Sequence, residues 1–379
     1  MAIQTKKFRT RQEIARTATN PKGKKYIIGL DAGYSAMKGF HENGHFCYPS
    51  YARRLSGELI YPSEEDILYR DLDTGELFIL GYSAQNMAGS AETNDTDGEL
   101  FSRKRYRNRK FRILCQAAIA LAIQDKKDNR ELVIQTGLPS SYEEADAPAM
   151  KKTLSQAARF ELKIGTGKWR RFEFQVPEDH IYVMPQPAGS LYSVLIKPDG
   201  TYVPDAKKYL TNNLLVLDIG FGTFDFYGIK NRAVECKESI DEIGMKQVLK
   251  ETSSLILEQM NEDIRVNALQ KNLTSGYVTC LDEETMKEEE RPLAPILETA
   301  NDKVFHEAMD RAKSVTSFFR DYHYLIVTGG TGEAWYEMIR EYLSGMRSLT
   351  ILPGNINDHD PLVYSNVRGY YMYRYTLCK

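Results

Sequence analysis

Two short stretches of the sequence place a carboxylate and a glycine directly after an apolar run. Asp31 is followed by Gly33, and Asp218 is followed by Gly220. Glycine lets backbone N–H groups approach an anion closely, and consecutive N–H groups form a concave anion-binding turn. Mg²⁺ keeps most of its waters and is bound through one or two carboxylates together with substrate phosphates. The two stretches therefore predict turns that face one another across a cleft, with Asp31 and Asp218 holding a hydrated Mg²⁺.

One cation lies close to the first carboxylate in the sequence. Lys38 follows Asp31 by seven residues on a returning extended segment. From there its ammonium could reach phosphate oxygens as a point charge. The alternative interpretation of Lys38 alone is an ordinary exposed strand lysine.

Two common nucleotide-binding motifs do not fit the second turn. A dinucleotide-binding GxGxxG would need a third glycine where Asp225 stands, and the segment TFDFYGI that follows is aromatic and β-branched. Such a segment favours a returning strand and not the helix that this motif opens. The sequence also contains no GxxxxGK[ST] phosphate loop.

The two turns belong to a repeat whose copies lie 187 residues apart. YIIGLDAGYSAMKGF (26–40) and LLVLDIGFGTFDFYGI (214–229) share an apolar strand, Asp-x-Gly, a small loop and a returning segment. Two domain-sized copies predict two structurally related halves and not a solenoid. A third glycine-rich turn, residues 329–332, follows another apolar strand and opens a helix.

The composition is that of a globular protein with unevenly distributed charge. The 379 residues are 42% hydrophobic and carry a net charge of −2, enough chain for two domains of ordinary size. Residues 1–25 carry +7 and residues 101–112 carry another +7, which leaves −16 on the rest. The nucleic-acid binding that a uniformly basic protein would suggest is therefore not indicated.

The two basic segments lead to different expectations. Residues 1–24 are interpreted as a flexible tail, with a DNA- or membrane-touching arm or a filament-stabilising segment as alternatives. The run 101–112 is expected to pair with acidic surface of a neighbouring subunit or an adaptor, anchored by Phe101, Tyr106 and Phe111.

Cysteine and histidine patterns and hydropathy exclude several classes of protein. The five cysteines are scattered without a CxxC pair, and the six histidines form no HExxH, so neither a disulfide framework nor a zinc site is indicated. No stretch approaches the roughly 20 apolar residues of a membrane-spanning helix. A cytoplasmic location is expected.

With these motifs in place, the sequence resembles the actin-like branch of the actin/Hsp70/sugar-kinase ATPases, and most closely the ParM-type plasmid-segregating bacterial actins. Five motifs in family order, spread over roughly residues 25–379, carry the resemblance: DAGYSAMK (31–38), TGLPSSY (136–142), MPQPAGSLY (184–192), LDIGFGTFD (217–225) and TGGTGE (328–333). It implies an α/β, actin-like (ribonuclease H-like), two-domain duplicated fold with a nucleotide cleft between the domains. The expected divisions are a tail at 1–24, domain I at 25–205, domain II at 206–361, and residues 362–379 returning to domain I.

The resemblance also implies roles for individual residues. From one domain the β/γ-phosphates would be met by Asp31, Gly33, Tyr34, Ser35 and Lys38, and from the other by Asp218, Gly220, Phe221, Gly222 and Thr223. The nucleoside would be received by Gly329, Gly330, Thr331 and Gly332, with Gly244 near the ribose.

Gln186 and Asp218 are the implied catalytic residues. Gln186 falls where the family orients the attacking water, a position that is usually glutamate in ParM-like proteins and glutamine in actin. Because glutamine cannot serve as a general base at neutral pH, it would act by positioning. The alternative is that Gln186 merely occupies a Pro-x-Pro turn.

The function implied is a filament-forming ATPase that polymerises with nucleotide to segregate plasmid DNA, hydrolysis destabilising the filament. The implied cofactor is Mg²⁺ with ATP, GTP remaining open, in a plasmid-encoded protein of the bacterial cytoplasm. Its partners would be copies of itself and a DNA-bound adaptor, with neither sequence-specific DNA binding nor membrane binding. The alternatives are a small-molecule kinase of the same superfamily, with Asp225 or Asp241 as base, and a non-polymerising actin-like or Hsp70-like ATPase.

Overall fold

The computed structural model describes residues 3–16, 20–87 and 103–379. In this part of the chain the strands are β1 (Glu13–Arg16), β2 (Tyr26–Ala32), β3 (Ala36–His41), β4 (Gly44–Pro49), β5 (Ala52–Leu55), β6 (Ile67–Asp71), β7 (Leu77–Leu80), β8 (Leu132–Leu138), β9 (Ala158–Ile164), β10 (Arg170–Phe174), β11 (Ile181–Pro185), β12 (Leu214–Ile219), β13 (Thr223–Lys230), β14 (Ala233–Asp241), β15 (Tyr277–Asp282), β16 (Lys287–Pro292), β17 (Tyr324–Thr328) and β18 (Thr350–Pro353).

The α-helices of the same residues are α1 (Gly81–Asn86), α2 (Arg109–Ile123), α3 (Glu143–Leu154), α4 (Gln186–Leu195), α5 (Ala206–Thr211), α6 (Met245–Met260), α7 (Leu269–Ser275), α8 (Ala294–Thr316), α9 (Gly330–Tyr342) and α10 (Ser365–Leu377). Short 3₁₀ helices cover Thr5–Phe8, Arg103–Arg107, Glu178–His180 and Leu362–Tyr364.

Two large sheets repeat one strand order. The first contains β4-β3-β2-β8-β11 and the second is β14-β13-β12-β17-β18, each with two antiparallel pairs followed by two parallel pairs. The turns after β2 and β12 also match, because the N–H of Gly33 donates to the carbonyl of Ala36 (3.1 Å) and the N–H of Gly220 to that of Thr223 (2.9 Å). Both offsets are the 187 residues of the sequence repeat. The predicted duplication is confirmed.

The central strands of both sheets are buried throughout. Every residue of β2 and of β12 is buried, which is why both strands read as continuous apolar runs and not as alternating ones. Helices α2 and α10 contact β2, while α4 and α9 contact β12.

Helices α4 and α10 lie against one another between the two sheets. Helix α10 contacts β2, β3 and β8 of the first sheet, and α4 contacts β12, β13 and β17 of the second. Their backbones touch, because a Cβ on Gly369 would lie 1.6 Å from the carbonyl oxygen of Gly189. Glycine is therefore required at this crossing. The domain boundaries expected at 205/206 and 361/362 stay a prediction.

The N-terminal segment is not the flexible tail expected from its basic composition. Strand β1 pairs antiparallel with β4 and extends the first sheet by one strand, with Glu13 opposite Cys47. Phe8 is 5% exposed and packs in the core of the second half with Leu269 and Leu273. Composition missed this because backbone pairing along the edge of β4 needs no apolar run. We call residues 5–16 the N-terminal strap.

The basic run 101–112 is used partly within the chain. Arg103 pairs with Asp146 (2.7 Å), and Arg109 pairs with Asp71 (3.0 Å). These two arginines thus form ion pairs within the chain, and the expected contact of the run with a neighbouring subunit or an adaptor stays a prediction. Tyr106 and Phe111 pack against the core of the first half, whereas Phe101 lies outside the described residues.

Three of the exclusions made from sequence concern features that the structure describes. All five cysteines are free thiols. None of the helices within residues 3–16, 20–87 and 103–379 combines the length and the apolar character needed to cross a membrane. In the same residues, no three His, Cys, Asp or Glu side chains are grouped closely enough to hold a metal ion by themselves.

Candidate functional site

A cavity of about 580 Å³ lies between the β2–β3 turn and the β12–β13 turn. It is lined by all but two of the site residues that the sequence predicts. Those present are Asp31, Gly33, Tyr34, Ser35, Lys38, Gln186, Asp218, Gly220, Phe221, Gly222, Thr223, Gly329, Gly330 and Thr331.

The two exceptions, Gly244 and Gly332, lie outside the lining of the cavity. Gly244 has φ +133°, and a Cβ there would lie 2.4 Å from the carbonyl oxygen of Gly220, so its small size lets α6 begin against the second turn. Gly332 lies inside α9, where a Cβ would meet the side chains of Val327 and Ile219. Both support the loops without lining the cavity, and their contacts with ribose and nucleoside stay predictions.

Asp31 is held on both carboxylate oxygens. It is 1% exposed, accepts a hydrogen bond from Lys38 Nζ at Oδ2 (2.8 Å) and another from Gln186 Nε2 at Oδ1 (2.8 Å). Burial by itself lowers the pKa of Lys38, but the charge and hydrogen bond of Asp31 outweigh burial and raise it overall. Lys38 is therefore a partly buried ion-pair partner and not an exposed strand lysine.

Asp218 occupies the equivalent place in the second half. It is 5% exposed and accepts a hydrogen bond from Asn366 Nδ2 (2.6 Å). Burial raises the pKa of Asp218 to about 6, with Asn366 and Lys38 acting in the opposite direction and the negative charge of Asp31 adding to the rise. A Cβ on Gly329 would lie 2.6 Å from Asp218 Oδ1, so this glycine, at φ +89°, brings the third turn against the carboxylate.

The donor set fits a hydrated divalent cation. Two buried carboxylates line one cavity, and the charge of Asp31 raises the pKa of Asp218, which shows that like charges oppose one another there. A divalent cation would relieve this repulsion, and Mg²⁺ binds through one or two carboxylates with its remaining ligands from water and phosphate. Both oxygens of Asp31 already accept side-chain hydrogen bonds, which favours contact through water.

The N-terminal strap forms one side of the cavity, which the sequence did not indicate. Residues 6–12 line it. The N–H of Thr10 donates to Gln270 Oε1 on α7 (3.0 Å), and Arg11 donates to Glu333 on α9 (3.4 Å), while β1 belongs to the first sheet. The strap thus connects both halves across the cavity. The only feature of the sequence that singled out the strap was its positive charge.

Asp225 is a further residue of the lining, and it stands where the repeat places Lys38 in the first half. Its Oδ1 accepts hydrogen bonds from the N–H of Ser140 (2.9 Å) and from the hydroxyl of Ser239. Burial raises its pKa to about 7, the charge of Asp218 adds to the rise, and the two serines oppose it. The two halves therefore present a lysine cation and an aspartate with a raised pKa at equivalent positions.

The nucleotide-free protein is expected to gain stability through Asp225 as the pH falls from about 7 to about 4. An unfolded aspartate has a pKa of about 3.9, whereas Asp225 in the folded protein has a pKa of about 7, so in this window only the folded state binds the proton. Asp225→Asn keeps the acceptor oxygen and removes the titration. Chemical denaturation of both proteins across this range should show a flatter pH dependence for the variant, by on the order of a few kcal/mol. Parallel curves would contradict the assignment.

Part of the chain matches a known protein family. Residues 29–189 match the family model described as the N-terminal domain of actin-like proteins. No curated protein matches the chain in sequence.

Solved structures match nearly the whole chain. The apo ParM protein of pSK41 is 19% identical, with a TM-score of 0.62 over 93% of this chain and 98% of that one. A 15-stranded ParM filament from Clostridium botulinum is 17% identical, with a TM-score of 0.66 over 92% and 98%. An archaeal actin homologue in complex with ADP is 18% identical, with a TM-score of 0.59 over 92% and 99%.

The chain therefore has the actin-like, two-domain duplicated α/β fold that the resemblance of its motifs implies. ParM proteins are among the solved structures that share this fold.

Proposed function

We propose that this protein is an ATPase that binds Mg-ATP in the cavity between its halves and polymerises into a filament. The observation that carries the proposal is the pair of equivalent turns, each with a buried aspartate, that line one cavity together with Lys38 and Gln186. Phosphoryl transfer depends chiefly on positioning and electrostatic stabilisation, and these residues supply both. We propose ATP and not GTP as the substrate because one similar structure is a complex with ADP.

The roles of the residues follow from their contacts. Bound Mg²⁺ would neutralise phosphate charge, and Asp31 and Asp218 would hold it through waters. Lys38, fixed by Asp31, would face the phosphates as a cation. Gln186 is held by Asp31 at the start of α4, so its side-chain amide has a defined direction in which to orient a water for attack.

Filament formation would be coupled to the nucleotide through the cleft. A ligand that contacts turns on both halves binds the closed arrangement best and shifts the population towards it. A filament requires heterologous contacts that do not close into a ring. The proposal of polymerisation is supported by the similar fold of the 15-stranded ParM filament subunit.

The proposed biological role is the segregation of plasmid DNA in the bacterial cytoplasm through a DNA-bound adaptor. Its support is the resemblance of the five motifs to ParM-type proteins. In this role the protein contacts the adaptor and further copies of itself. It binds neither a specific DNA sequence nor a membrane.

Sedimentation and electron microscopy with Mg-ATP, Mg-ADP and no nucleotide test this function. With Mg-ATP we expect filaments, pelleted protein and phosphate release that rises with protein concentration. For Asp218→Ala we expect none of these. Protein that stays in the supernatant with Mg-ATP across a range of concentration and salt would contradict polymerisation. ATP turnover that rises with an added sugar or acid, and not with protein concentration, would instead identify a small-molecule kinase.

A further inference from the structure

Among the residues that the structure describes, one arginine of the basic run faces the cavity without an anionic partner. Arg105 is 2% exposed and lines the cavity. Its Nε and Nη1 atoms have no hydrogen-bond partner, and within the described residues it makes no ion pair with a carboxylate. Buried charges are ordinarily paired because the desolvation of an unpaired charge is costly. The site is therefore incomplete as it stands.

The surroundings keep this guanidinium charged. It lies over the ring of Tyr34 at 4.4 Å, with the rings of Phe111 and Tyr106 at 5.0 and 5.5 Å. Burial acts to lower the pKa of Arg105, but the hydroxyls of Tyr106 and Tyr34 outweigh burial and raise it. A cation held against three aromatic faces is positioned but not neutralised.

Tyr34 connects this cation to both phosphate turns. It follows Gly33 in the first turn, and its Cδ2 lies 3.6 Å from where a Cβ on Gly222 of the second turn would be. Arg105 therefore lies behind the point where the two turns meet. The nucleoside turn at residues 329–332 approaches Asp218 from another element, at the start of α9.

We infer that Arg105 binds the terminal phosphate of ATP, and that the Tyr34 ring moves aside to admit it. The inference rests on the proposed nucleotide binding and adds a residue to it. A guanidinium presents several N–H donors in a rigid plane that suits phosphate oxygens, and it remains charged at every working pH. Positive charge at the terminal phosphate also stabilises the transition state of its transfer.

The test compares Arg105→Gln with Arg107→Gln. Arg107 is exposed in the same run, so its replacement changes the net charge equally without reaching the cavity. Affinities for ATP, ADP and AMP are measured with Mg²⁺ by competition against a fluorescent ATP analogue, at protein concentrations below assembly. We expect Arg105→Gln to weaken ATP binding at least tenfold and ADP binding less than threefold, and Arg107→Gln to change neither.

Each remaining outcome has a defined meaning. ATP affinity within threefold of wild type in Arg105→Gln overturns the inference, and so does an equal loss for ATP and ADP. If that variant does not fold, Arg105→Lys replaces it, with an expected loss for ATP of at least threefold and the same criterion of unequal loss. A wild-type protein that binds no ATP would overturn the proposed function itself.

Discussion

Replacing Gln186 with alanine is expected to slow ATP hydrolysis by roughly 10²-fold, the size of effect that a small misplacement of the attacking group produces. The side chain lies at the start of α4, and its Nε2 donates to Asp31 Oδ1 at 2.8 Å, so the amide is held beside the carboxylate proposed to face the phosphates. ATP affinity should change by less than about threefold, since an interaction made chiefly in the transition state contributes little to ground-state binding. Single-turnover phosphate release and equilibrium ATP binding measure the two quantities separately.

Gln175→Ala is the matched control, because Gln175 is exposed and donates to the carbonyl of Ser155 away from the cavity. It should leave both quantities at the wild-type value. A Gln186→Ala protein that hydrolyses ATP at the wild-type rate would show that Gln186 does not position the attacking water and serves only as the first residue of α4. Filaments formed by Gln186→Ala with Mg-ATP should also persist longer, because hydrolysis is the proposed cause of their disassembly.

Removal of residues 1–12 is expected to speed nucleotide release by about tenfold or more. Residues 6–12 line the cavity, Phe8 is buried in the core of the second half, and Thr10 donates to Gln270 on α7. A tenfold change corresponds to about 1.4 kcal/mol, which the loss of one or two net hydrogen bonds would produce. Stopped-flow displacement of a fluorescent ATP analogue by excess ATP measures the rate.

A complementary variant separates the strap from general loss of stability. Gln270→Ala leaves residues 1–12 intact and removes the acceptor for the N–H of Thr10. It should therefore also speed nucleotide release, by a smaller factor than removal of residues 1–12. Lys24→Gln changes one positive charge of the N-terminal region outside the strap and should have no effect. Release rates that are equal in the truncated and wild-type proteins would show that the strap does not retain nucleotide.

The main architecture could be predicted from sequence because it is encoded locally and twice. An apolar strand, an aspartate and a glycine-rich turn specify a hairpin wherever they occur, and the offset of 187 residues aligned Asp31 with Asp218 before any contact was known. The hydrogen bonds within the two turns repeat at this same offset. Local pattern was sufficient to identify the turns, and with them most of the residues that line the cavity.

The features that escaped prediction depend on contacts between distant segments. The strap reads as a basic tail because its order comes from pairing with β4 and from the burial of Phe8 in the other half. Arg105 sits in a run of surface-type residues and is buried only because aromatic side chains surround it. Asp225 was noted in the sequence as an absent glycine and as a possible kinase base, whereas its raised pKa depends on burial that composition does not reveal.

The contact between α4 and α10 determines how the two halves can move. Their backbones meet at Gly189 and Gly369 with no room for a side chain. Helix α10 lies on the first sheet, whereas α4 contacts strands of both sheets. A separation of the sheets would break this contact, whereas a rotation about it would preserve the contact while widening the opposite edge of the cleft. A small rotation about this contact would therefore produce a larger displacement at the outer surfaces of the two halves, far from the two glycines.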